Sequence, residues 1–370
     1  MKKYHLLLIA LLFLTNAKAQ QNLNLLIGTY TNSCESKGIY VYEFNSQTAD
    51  FKFKNATSKS INPSYLAVSP DHKLVYAVNE NGKESTVSAF QFESKSGKLN
   101  LINKQNSEGA DPCHIINDNQ NVLVANYSGG SISVFKKQPN GGLQKSAQVI
   151  KHQGSSVNKD RQEAPHVHQL QFSPDKKFVL ANDLGTDRIY VYEYQTDVVD
   201  EILKFKDTIA IKTGSGPRHL TFSPDGKFVY LLQELDGTIT VFDYFNGKFQ
   251  RIQETTVVQN GFKGKNSAAA IKISEDGKFL YATNRGEANT ISVFEINAKG
   301  KLIHKETIAT GGNGPRDFAI VPGGKFVLVA HQYSNDIVIF NRKDTGELTN
   351  SGKKIELCSP VNLVFGGVAE

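Results

Sequence analysis

The sequence has 370 residues, of which 39% are hydrophobic and 21% are charged, and its formal net charge is +6. Three of the positive charges belong to Lys2, Lys3 and Lys18, so the chain after residue 19 carries only +3. So small an excess argues against nucleic acid or another polyanion as a partner. Length alone favours two domains.

The first nineteen residues have the pattern of a secretory signal peptide. A charged start is followed by an apolar run, Leu6–Leu14, and by Ala17–Ala19, which fits a small-x-small cleavage site. The apolar run is too short to span a bilayer, although a retained membrane anchor is the alternative. We therefore expect residues 1–19 to be removed and residues 20–370 to be exported, to the periplasm or the extracellular space, without stable membrane insertion.

Seven copies of one strand–turn–strand unit fill the rest of the chain. The clearest copy, residues 216–234, has an apolar strand, the turn Ser223–Gly226 with the sequence Ser-Pro-Asp-Gly, and a second apolar strand. Pro presets φ, Asp bonds its own backbone and Gly accepts a positive φ, so this sequence favours a tight turn. The copies start about 50 residues apart, at positions 63, 112, 167, 217, 268, 315 and 360. Internal repeats overrule the length argument and predict one repeat domain.

Each full copy continues with an alternating third strand, such as Thr290–Phe294, and a more polar fourth strand. Four antiparallel strands at this period are the signature of a β-propeller blade. The last copy stops after its first strand, near Phe365, and the N-terminal part supplies Leu25–Tyr30, Ile39–Phe44 and Phe51–Lys54. The sequence therefore predicts an all-β, seven-bladed propeller. Strands from both termini close its seventh blade, which leaves no open edge.

The three cysteines are Cys34, Cys113 and Cys358. Cys34 and Cys358 flank the shared blade on the same predicted face, and export permits disulfides. A bond between them is one option, and it requires Cα atoms within about 7 Å. Cys113 next to His114 suggests a thiol nucleophile, but adjacent strand residues point to opposite faces. We therefore interpret Cys113 as a small buried residue.

Polar side chains recur where the first strand of each copy begins and where the second strand ends. In a propeller these strand ends lie on one face, around the mouth of the central channel. Several rows rich in Arg, His, Glu and Asn favour a ligand site over mere capping of strand ends. The residues of these rows that we expect to bind substrate are Glu80, Asn126, Asp183, Asn284, Arg316 and His331.

A more specific combination of motifs lies in the middle copies. It consists of His166-Val167-His168, Gly216-Pro217-Arg218-His219, a glutamate sixteen residues after that arginine, and Asn284-Arg285 in the next copy. With the Gly28-Thr29-Tyr30-Thr31 start, it resembles the lactonase family of seven-bladed propellers, which includes propeller-type 6-phosphogluconolactonases and carboxymuconate cyclases. The resemblance covers nearly the whole mature chain. It implies lactone hydrolysis and, by position, catalytic roles for His168, Arg218, Glu234 and Arg285.

These residue types suit the opening of a sugar lactone, which needs an activated water and a stabilised oxyanion. His168 is expected to act as the general base, because an unperturbed imidazole has a pKa near 6.5. Arg218 and Arg285 offer fixed positive charge to the oxyanion and to a carboxylate, hydroxyls or phosphate of the substrate. Glu234 is expected to stay ionised between the two arginines and to orient His168 or activate water. His166 is expected to bond a loop.

Three alternatives remain open. Glu80, Asn126 and Asp183 are oxygen ligands of the kind that Ca²⁺ favours, as in a calcium-dependent lactonase. The arginines argue against a metal, so we expect neither a metal nor a cofactor. A muconate-type cycloisomerase is the second alternative. A non-enzymatic binding platform is the third, because fold does not fix function.

Overall fold

A computed structural model describes residues 22–198 and 200–369 of the chain. These residues form seven four-stranded antiparallel sheets, the blades of a propeller, and a single 3₁₀ turn at Gly82–Glu84. The predicted seven-bladed, all-β fold is thus confirmed. The predicted signal peptide lies outside the described residues. Within the described ranges no helix has the length and apolar character needed to cross a membrane.

In each blade the first strand of the repeat lies at the channel and the fourth strand lies at the outer rim. In chain order they are β1 (Asn22–Thr29), β2 (Ile39–Asn45) and β3 (Phe51–Ala56) of blade 7; β4 (Leu66–Val68), β5 (Leu74–Asn79), β6 (Thr86–Glu93) and β7 (Lys98–Asn106) of blade 1; β8 (Pro112–Asn117), β9 (Asn121–Asn126), β10 (Ser131–Lys137) and β11 (Leu143–Lys151) of blade 2; β12 (Val167–Phe172), β13 (Phe178–Asp183), β14 (Arg188–Tyr194) and β15 (Leu203–Ala210) of blade 3; β16 (Pro217–Phe222), β17 (Phe228–Gln233), β18 (Thr238–Phe245) and β19 (Lys248–Thr256) of blade 4; β20 (Asn266–Ile273), β21 (Phe279–Gly286), β22 (Thr290–Ile296) and β23 (Leu302–Ala309) of blade 5; β24 (Pro315–Ile320), β25 (Phe326–His331), β26 (Asp336–Arg342) and β27 (Leu348–Glu356) of blade 6; and β28 (Pro360–Val368), again of blade 7.

Blade 7 closes the ring as predicted. Its strand order is β28-β1-β2-β3, and β28 pairs with β1 in antiparallel register, with Leu25 opposite Phe365 and Ile27 opposite Leu363. The first strands of neighbouring blades contact one another all the way round the channel. The C-terminal strand is therefore both the inner strand of its own blade and a link between blades 6 and 1.

The Ser-Pro-Asp-Gly turns fix which end of each blade faces the site. Ser223 Oγ donates to Asp225 Oδ1 at 2.6 Å and accepts the Phe228 amide at 2.9 Å, while Gly226 has a φ of 73°. Equivalent serine–aspartate bonds occur in three other blades, at Ser69, Ser173 and Ser274. Since these turns occupy one end of the strands, the starts of the first strands and the ends of the second strands gather at the opposite face.

Neighbouring blades are packed through apolar residues and a recurring tyrosine bond. Between blades 2 and 3, for example, Leu123 and Val134 belong to the same buried cluster as Leu170 and Val179. A tyrosine in the second strand of three blades also donates its hydroxyl to a glycine carbonyl of the next blade, at 2.9, 2.9 and 2.7 Å, for Tyr76–Gly141, Tyr230–Gly300 and Tyr281–Gly346. These contacts hold the blades in a fixed relation around the channel.

Cys34 and Cys358 form a disulfide whose Cα atoms lie 5.9 Å apart. Cys34 lies between β1 and β2, and Cys358 directly precedes β28, so the bond joins segments 324 residues apart in the sequence. The third cysteine, Cys113, is buried and has a free thiol. The disulfide therefore staples the blade that the two termini share.

Replacing both cysteines of the disulfide by serine (C34S/C358S) is expected to lower the free energy of unfolding by about 2–5 kcal/mol. The reason is that the bond restricts the unfolded chain across almost its whole length. Denaturant unfolding measures the effect. Reductant should weaken the wild-type protein to a similar extent and leave the double variant unchanged. Equal stability of oxidised wild type and double variant would contradict the expectation.

Candidate active site at the channel mouth

A cavity of about 350 Å³ lies at the face where the first strands begin. Five of the residues that the sequence singled out line it, namely Glu80, His168, Glu234, Arg285 and Arg316. Its other lining residues are Tyr30, Asp111, Cys113, Tyr127, Ser128 and Arg161. The cavity is therefore charged over much of its wall, with arginines and carboxylates in close proximity.

A repeated backbone irregularity brings several of these side chains to the mouth. In four blades the strand pairing shifts register at the second residue of the first strand, so that residue has no partner in the ladder. Such bulges turn a side chain away from its regular direction and are frequent beside active sites. The residues at these bulges are Cys113, His168, Arg218 and Arg316.

The centre of the site is the carboxylate of Glu234, which is 4% exposed. Arg161 Nη2 lies 2.7 Å from its Oε1, while Arg218 Nε and Arg285 Nη2 lie 2.9 and 3.0 Å from its Oε2. Arg285 also donates to the carbonyls of Ser267 and Ala268. One buried carboxylate therefore faces three guanidinium groups, which leaves an excess of positive charge at this wall.

Arg218 reaches this carboxylate from behind and is not among the residues that line the cavity. It is 2% exposed, and besides Glu234 it donates to the carbonyl of Ala269. Burial lowers its pKa to about 9, with the neighbouring Arg285 acting in the same direction. Even so, the guanidinium remains protonated at neutral pH. The structure thus gives Arg218 a position that orients Glu234, where the sequence predicted direct contact with substrate.

The charge of Glu234 is secured by its surroundings. Burial by itself would raise the pKa of this carboxyl, but Arg285, Arg218 and Arg161 outweigh burial and hold the pKa far below the ordinary range of a glutamate. A carboxylate with so low a pKa is a weak base. Glu234 therefore serves as a fixed negative charge that organises the arginines.

His168 lies beside this cluster, with Nε2 3.9 Å from Glu234 Oε2. Burial, and then the charge of Arg218, lowers the pKa of His168 well below that of a free imidazole. The ring is therefore neutral at neutral pH and a weaker base than an unperturbed imidazole, on which the prediction of a general base was founded. A neutral imidazole at this position can donate a hydrogen bond to a substrate oxygen.

Cys113 lines the cavity, yet its thiol is engaged with the backbone. Its Sγ lies 3.4 Å from the carbonyl oxygen of His168 and 3.8 Å from Nδ1 of the same residue. Burial raises the pKa of this thiol, which leaves it protonated. The interpretation of Cys113 as a small buried residue agrees with this geometry. His114 points elsewhere and contacts the rings of Tyr65 and His219.

A second carboxylate, Glu80, belongs to a different part of the wall. Tyr30 donates its hydroxyl to both carboxylate oxygens, at 3.0 and 3.1 Å, and Ser64 donates to Oε1. The guanidinium of Arg316 lies over the Tyr30 ring, 5.3 Å from its centroid. Among residues 22–198 and 200–369, Arg316 has no hydrogen-bond or ion-pair partner. Its N–H groups are therefore free to bind an oxygen of a ligand.

The four other residues predicted to bind substrate do not line the cavity. They are buried and bonded within or next to their own blades: Asn126 donates to Ser131 and Ser133, Asp183 accepts from His152 and three backbone amides, Asn284 accepts the Ser267 amide, and His331 bonds Asp336. The calcium-ligand set is therefore not assembled around Glu80. Within the described ranges, no group of three or more His, Cys, Asp and Glu side chains is placed to hold a metal ion.

Sequence reasoning missed Arg161, which lies outside the repeat, between β11 and β12. Asp183 fixes both ends of this loop, because it bonds the His152 ring at 2.7 Å and the backbone amide of His166 at 2.8 Å. The His166 ring also bonds the carbonyl of Tyr127 at 3.0 Å, as expected for a loop-bonding histidine. The available signal was that this connection, residues 152–166, is longer than its counterparts between the other blades.

The chain is similar to known proteins over nearly its whole length. The model of the family described as "Lactonase, 7-bladed beta-propeller" matches residues 24–365. A 6-phosphogluconolactonase of Bacillus subtilis is 34% identical over 345 residues, which cover 92% of this chain and 97% of the relative. A 6-phosphogluconolactonase of Formosa agariphila is 36% identical over 335 residues, with 87% and 93% covered.

A solved structure is also similar to this chain in sequence and fold. The periplasmic gluconolactonase of Pseudomonas aeruginosa is 36% identical and superimposes with a TM-score of 0.89, over 93% of this chain and 99% of that protein. The range matched by the family model, residues 24–365, includes strands of all seven blades.

Proposed function

Because the chain belongs to the lactonase family of seven-bladed β-propellers, we propose that it hydrolyses a sugar-type lactone in the cavity at the channel mouth, as the names of its relatives indicate for them. In this scheme His168 and Arg285 contact the reacting carbonyl, Glu234 holds the arginines in place, and Arg218 acts through Glu234. The reaction adds water to the carbonyl carbon, breaks the ring C–O bond and yields a hydroxy acid. No metal is required in this scheme.

The observation that carries the proposal is the group of three arginines around one buried carboxylate. Arg161 and Arg285 line the cavity and are held in place by Glu234 at 2.7 and 3.0 Å. Fixed guanidinium donors in a buried site stabilise the negative oxygen that forms when water attacks a lactone carbonyl. The same donors suit a carboxylate, hydroxyls or phosphate on the substrate.

His168 complements the arginines as a neutral hydrogen-bond donor. Its pKa is lowered by burial and by positive neighbours, so the ring does not compete with them as a cation. A neutral imidazole that polarises a carbonyl is an established way to stabilise an oxyanion. In this role His168 and Arg285 hold the carbonyl oxygen from two sides, while Glu234 fixes their separation.

Export is also part of the proposal. The pattern of residues 1–19 is that of a signal peptide, and a disulfide between Cys34 and Cys358 suits an oxidising compartment. Outside the cytoplasm, an unphosphorylated aldonolactone is the first substrate to test. Its 6-phosphorylated form is the matched comparison, because both present the same ring to the arginines.

Purified protein is expected to open a six-membered aldonolactone faster than buffer, with unchanged rate after treatment with a chelator. His168→Ala should lower kcat by about 10²–10³, the cost of removing one oxyanion donor, at an unchanged melting temperature. A pH-indicator assay with subtraction of spontaneous hydrolysis measures both. His304→Ala is the matched control, because His304 is exposed on the outer strand of blade 5.

Each other outcome favours a specific alternative. If no lactone in a panel with and without phosphate is opened faster than in buffer, the binding platform is the better account. Ring closure of a carboxymuconate without lactone hydrolysis would favour the cycloisomerase. Loss of activity with chelator and its recovery with Ca²⁺ would favour the metal-dependent lactonase.

A further inference from the structure

Lactone hydrolysis needs a group that takes a proton from the attacking water, and the cluster around Glu234 does not supply one. Both oxygens of Glu234 face guanidinium groups within 3.0 Å. His168 is neutral, and its pKa is far below the usual range. The thiol of Cys113 stays protonated and donates a hydrogen bond to the backbone carbonyl of His168. A carboxylate elsewhere on the cavity wall, with no guanidinium at hydrogen-bond distance, is therefore better suited to accept the proton.

Glu80 differs from Glu234 in the nature of its partners. The groups that bond its carboxylate are neutral hydroxyls, those of Tyr30 and Ser64. Three donor contacts fix its plane, and they leave part of the hydrogen-bonding capacity of the two oxygens unused. Glu80 also lines the same cavity as His168 and Arg285, so one bound lactone can meet both parts of the wall.

We propose that Glu80 is the general base of the reaction, a role that rests on the proposed lactonase function. The Glu80 carboxylate removes a proton from water as the water oxygen bonds to the lactone carbonyl carbon. The oxyanion that forms is held by Arg285 and His168. When the tetrahedral intermediate collapses, the ring C–O bond breaks and the protonated Glu80 returns the proton to the ring oxygen, which leaves as a hydroxyl.

The electrostatic surroundings of Glu80 make its carboxylate a stronger base than an ordinary glutamate. Burial raises the pKa of its carboxyl above the ordinary 4.5, and the charge of Asp111 acts in the same direction. Arg316 and the hydroxyls of Ser64 and Tyr30 oppose this shift without cancelling it. Glu234 and Glu80, two of the carboxyls that line the cavity, thus have pKa values pushed apart, with Glu234 ionised at all working pH values and Glu80 the more basic. Such a division is the usual mark of distinct roles.

If Glu80 is the base, the rate of hydrolysis should fall at low pH. A base must be ionised, so the rate falls as the pH drops through the raised pKa of Glu80. The thiol of Cys113 also lies near this carboxyl, and it stays protonated. The other groups that act on the pKa of Glu80 are those already named, Tyr30, Ser64, Arg316 and Asp111. The acid limb of kcat/KM is therefore expected above pH 4.5, the ordinary pKa of a glutamate.

The test compares the wild-type protein with Glu80→Gln, Glu80→Ala and Tyr30→Phe on the aldonolactone that the wild type hydrolyses best. Glu80→Gln should lower kcat by about 10²–10⁴ and abolish the acid limb. Formate should restore activity to Glu80→Ala in proportion to its concentration. Tyr30→Phe removes a hydrogen bond that lowers the pKa of Glu80, so it should move the acid limb to higher pH. Glu84→Gln, four residues away and exposed, is the matched control.

The outcomes separate this proposal from the one on which it rests. A wild-type protein inactive on every lactone contradicts the lactonase function itself. An active wild type with Glu80→Gln within about tenfold of its rate, or with an unchanged acid limb in that variant, overturns the role of Glu80. Melting temperatures identify any variant that fails to fold, and the pH shift of Tyr30→Phe provides an independent reading in a protein that keeps its carboxylate.

Discussion

Replacing Glu234 by glutamine is expected to lower the free energy of unfolding by about 3–5 kcal/mol, the usual cost of removing one partner of a buried ion pair. The glutamine keeps the size of the side chain but loses its charge. Arg218 and Arg285, which are 2% and 8% exposed, would then lack their common counter-charge. The lactonase activity should fall as well, because the guanidinium groups that bind the oxyanion would lose the carboxylate that orients them.

The loss of stability should depend on pH in a defined way. The folded state holds the pKa of Glu234 below its unfolded value, so its contribution is complete above the unfolded pKa of about 4.3 and is lost as the pH falls below that value. The difference in unfolding free energy between wild type and Glu234→Gln should therefore stay constant from pH 7 to about pH 5 and shrink as the pH falls below about 4.3. Chemical denaturation at several pH values measures this difference.

A second substitution tests whether charge is the cause. Arg161 is the most accessible of the three arginines, with a side chain 39% exposed. Adding Arg161→Gln to Glu234→Gln removes one of the unbalanced charges and should recover part of the lost stability. The exposed control Glu84→Gln should change stability by no more than about 0.5 kcal/mol. A Glu234→Gln protein as stable as the wild type at pH 7 would show that the carboxylate does not hold the arginines in place.

The fold could be predicted from the sequence because the same strand–turn–strand pattern occurs seven times. Seven similar units at one spacing fix the strand count, and the split unit at the termini fixes the closure of blade 7, since a missing strand in one place is present in the other. The pairing of β28 with β1 is the direct result. A disulfide between Cys34 and Cys358 was only one option from sequence, because the distance between two loops depends on the shape of the finished ring.

The site was only partly readable for the same reason. Alignment of the repeats finds residues at strand ends, so it locates Glu80, His168 and Arg285 on the cavity wall. It does not tell which polar residue of a row faces the ligand, and Asn284 instead accepts a backbone amide inside its blade. Arg161 lies in a loop that has no counterpart in the repeat. The pKa of His168 depends on burial and on arginines from other blades, which no local pattern contains.

Ending the chain at Ser359, and so deleting β28, is expected to prevent stable folding. The deletion removes the inner strand of blade 7 and leaves β1 unpaired along one edge, although Leu25, Leu26 and Ile27 of that strand are fully buried. It also removes Asn362, which accepts the amide of Leu66 in blade 1 at 3.0 Å and donates to Asp317 in blade 6 at 2.9 Å. Buried backbone groups without hydrogen-bond partners cost folding free energy. Here one whole edge of β1 would lose its partners.

The expected observation is a protein without a cooperative unfolding transition, measured by circular dichroism and calorimetry. The truncated chain keeps both Cys34 and Cys358, so loss of the disulfide cannot explain the result. A chain that ends at Val368 keeps β28 and should unfold almost like the full-length protein, because the one hydrogen bond it loses among residues 22–198 and 200–369 is that from Ala369 to Asn22. A synthetic peptide covering residues 359–370 should restore a transition to the truncated chain by supplying the missing strand. Cooperative unfolding of the truncated chain alone would mean that six blades and an open edge suffice, and that ring closure does not hold the channel-mouth residues in place.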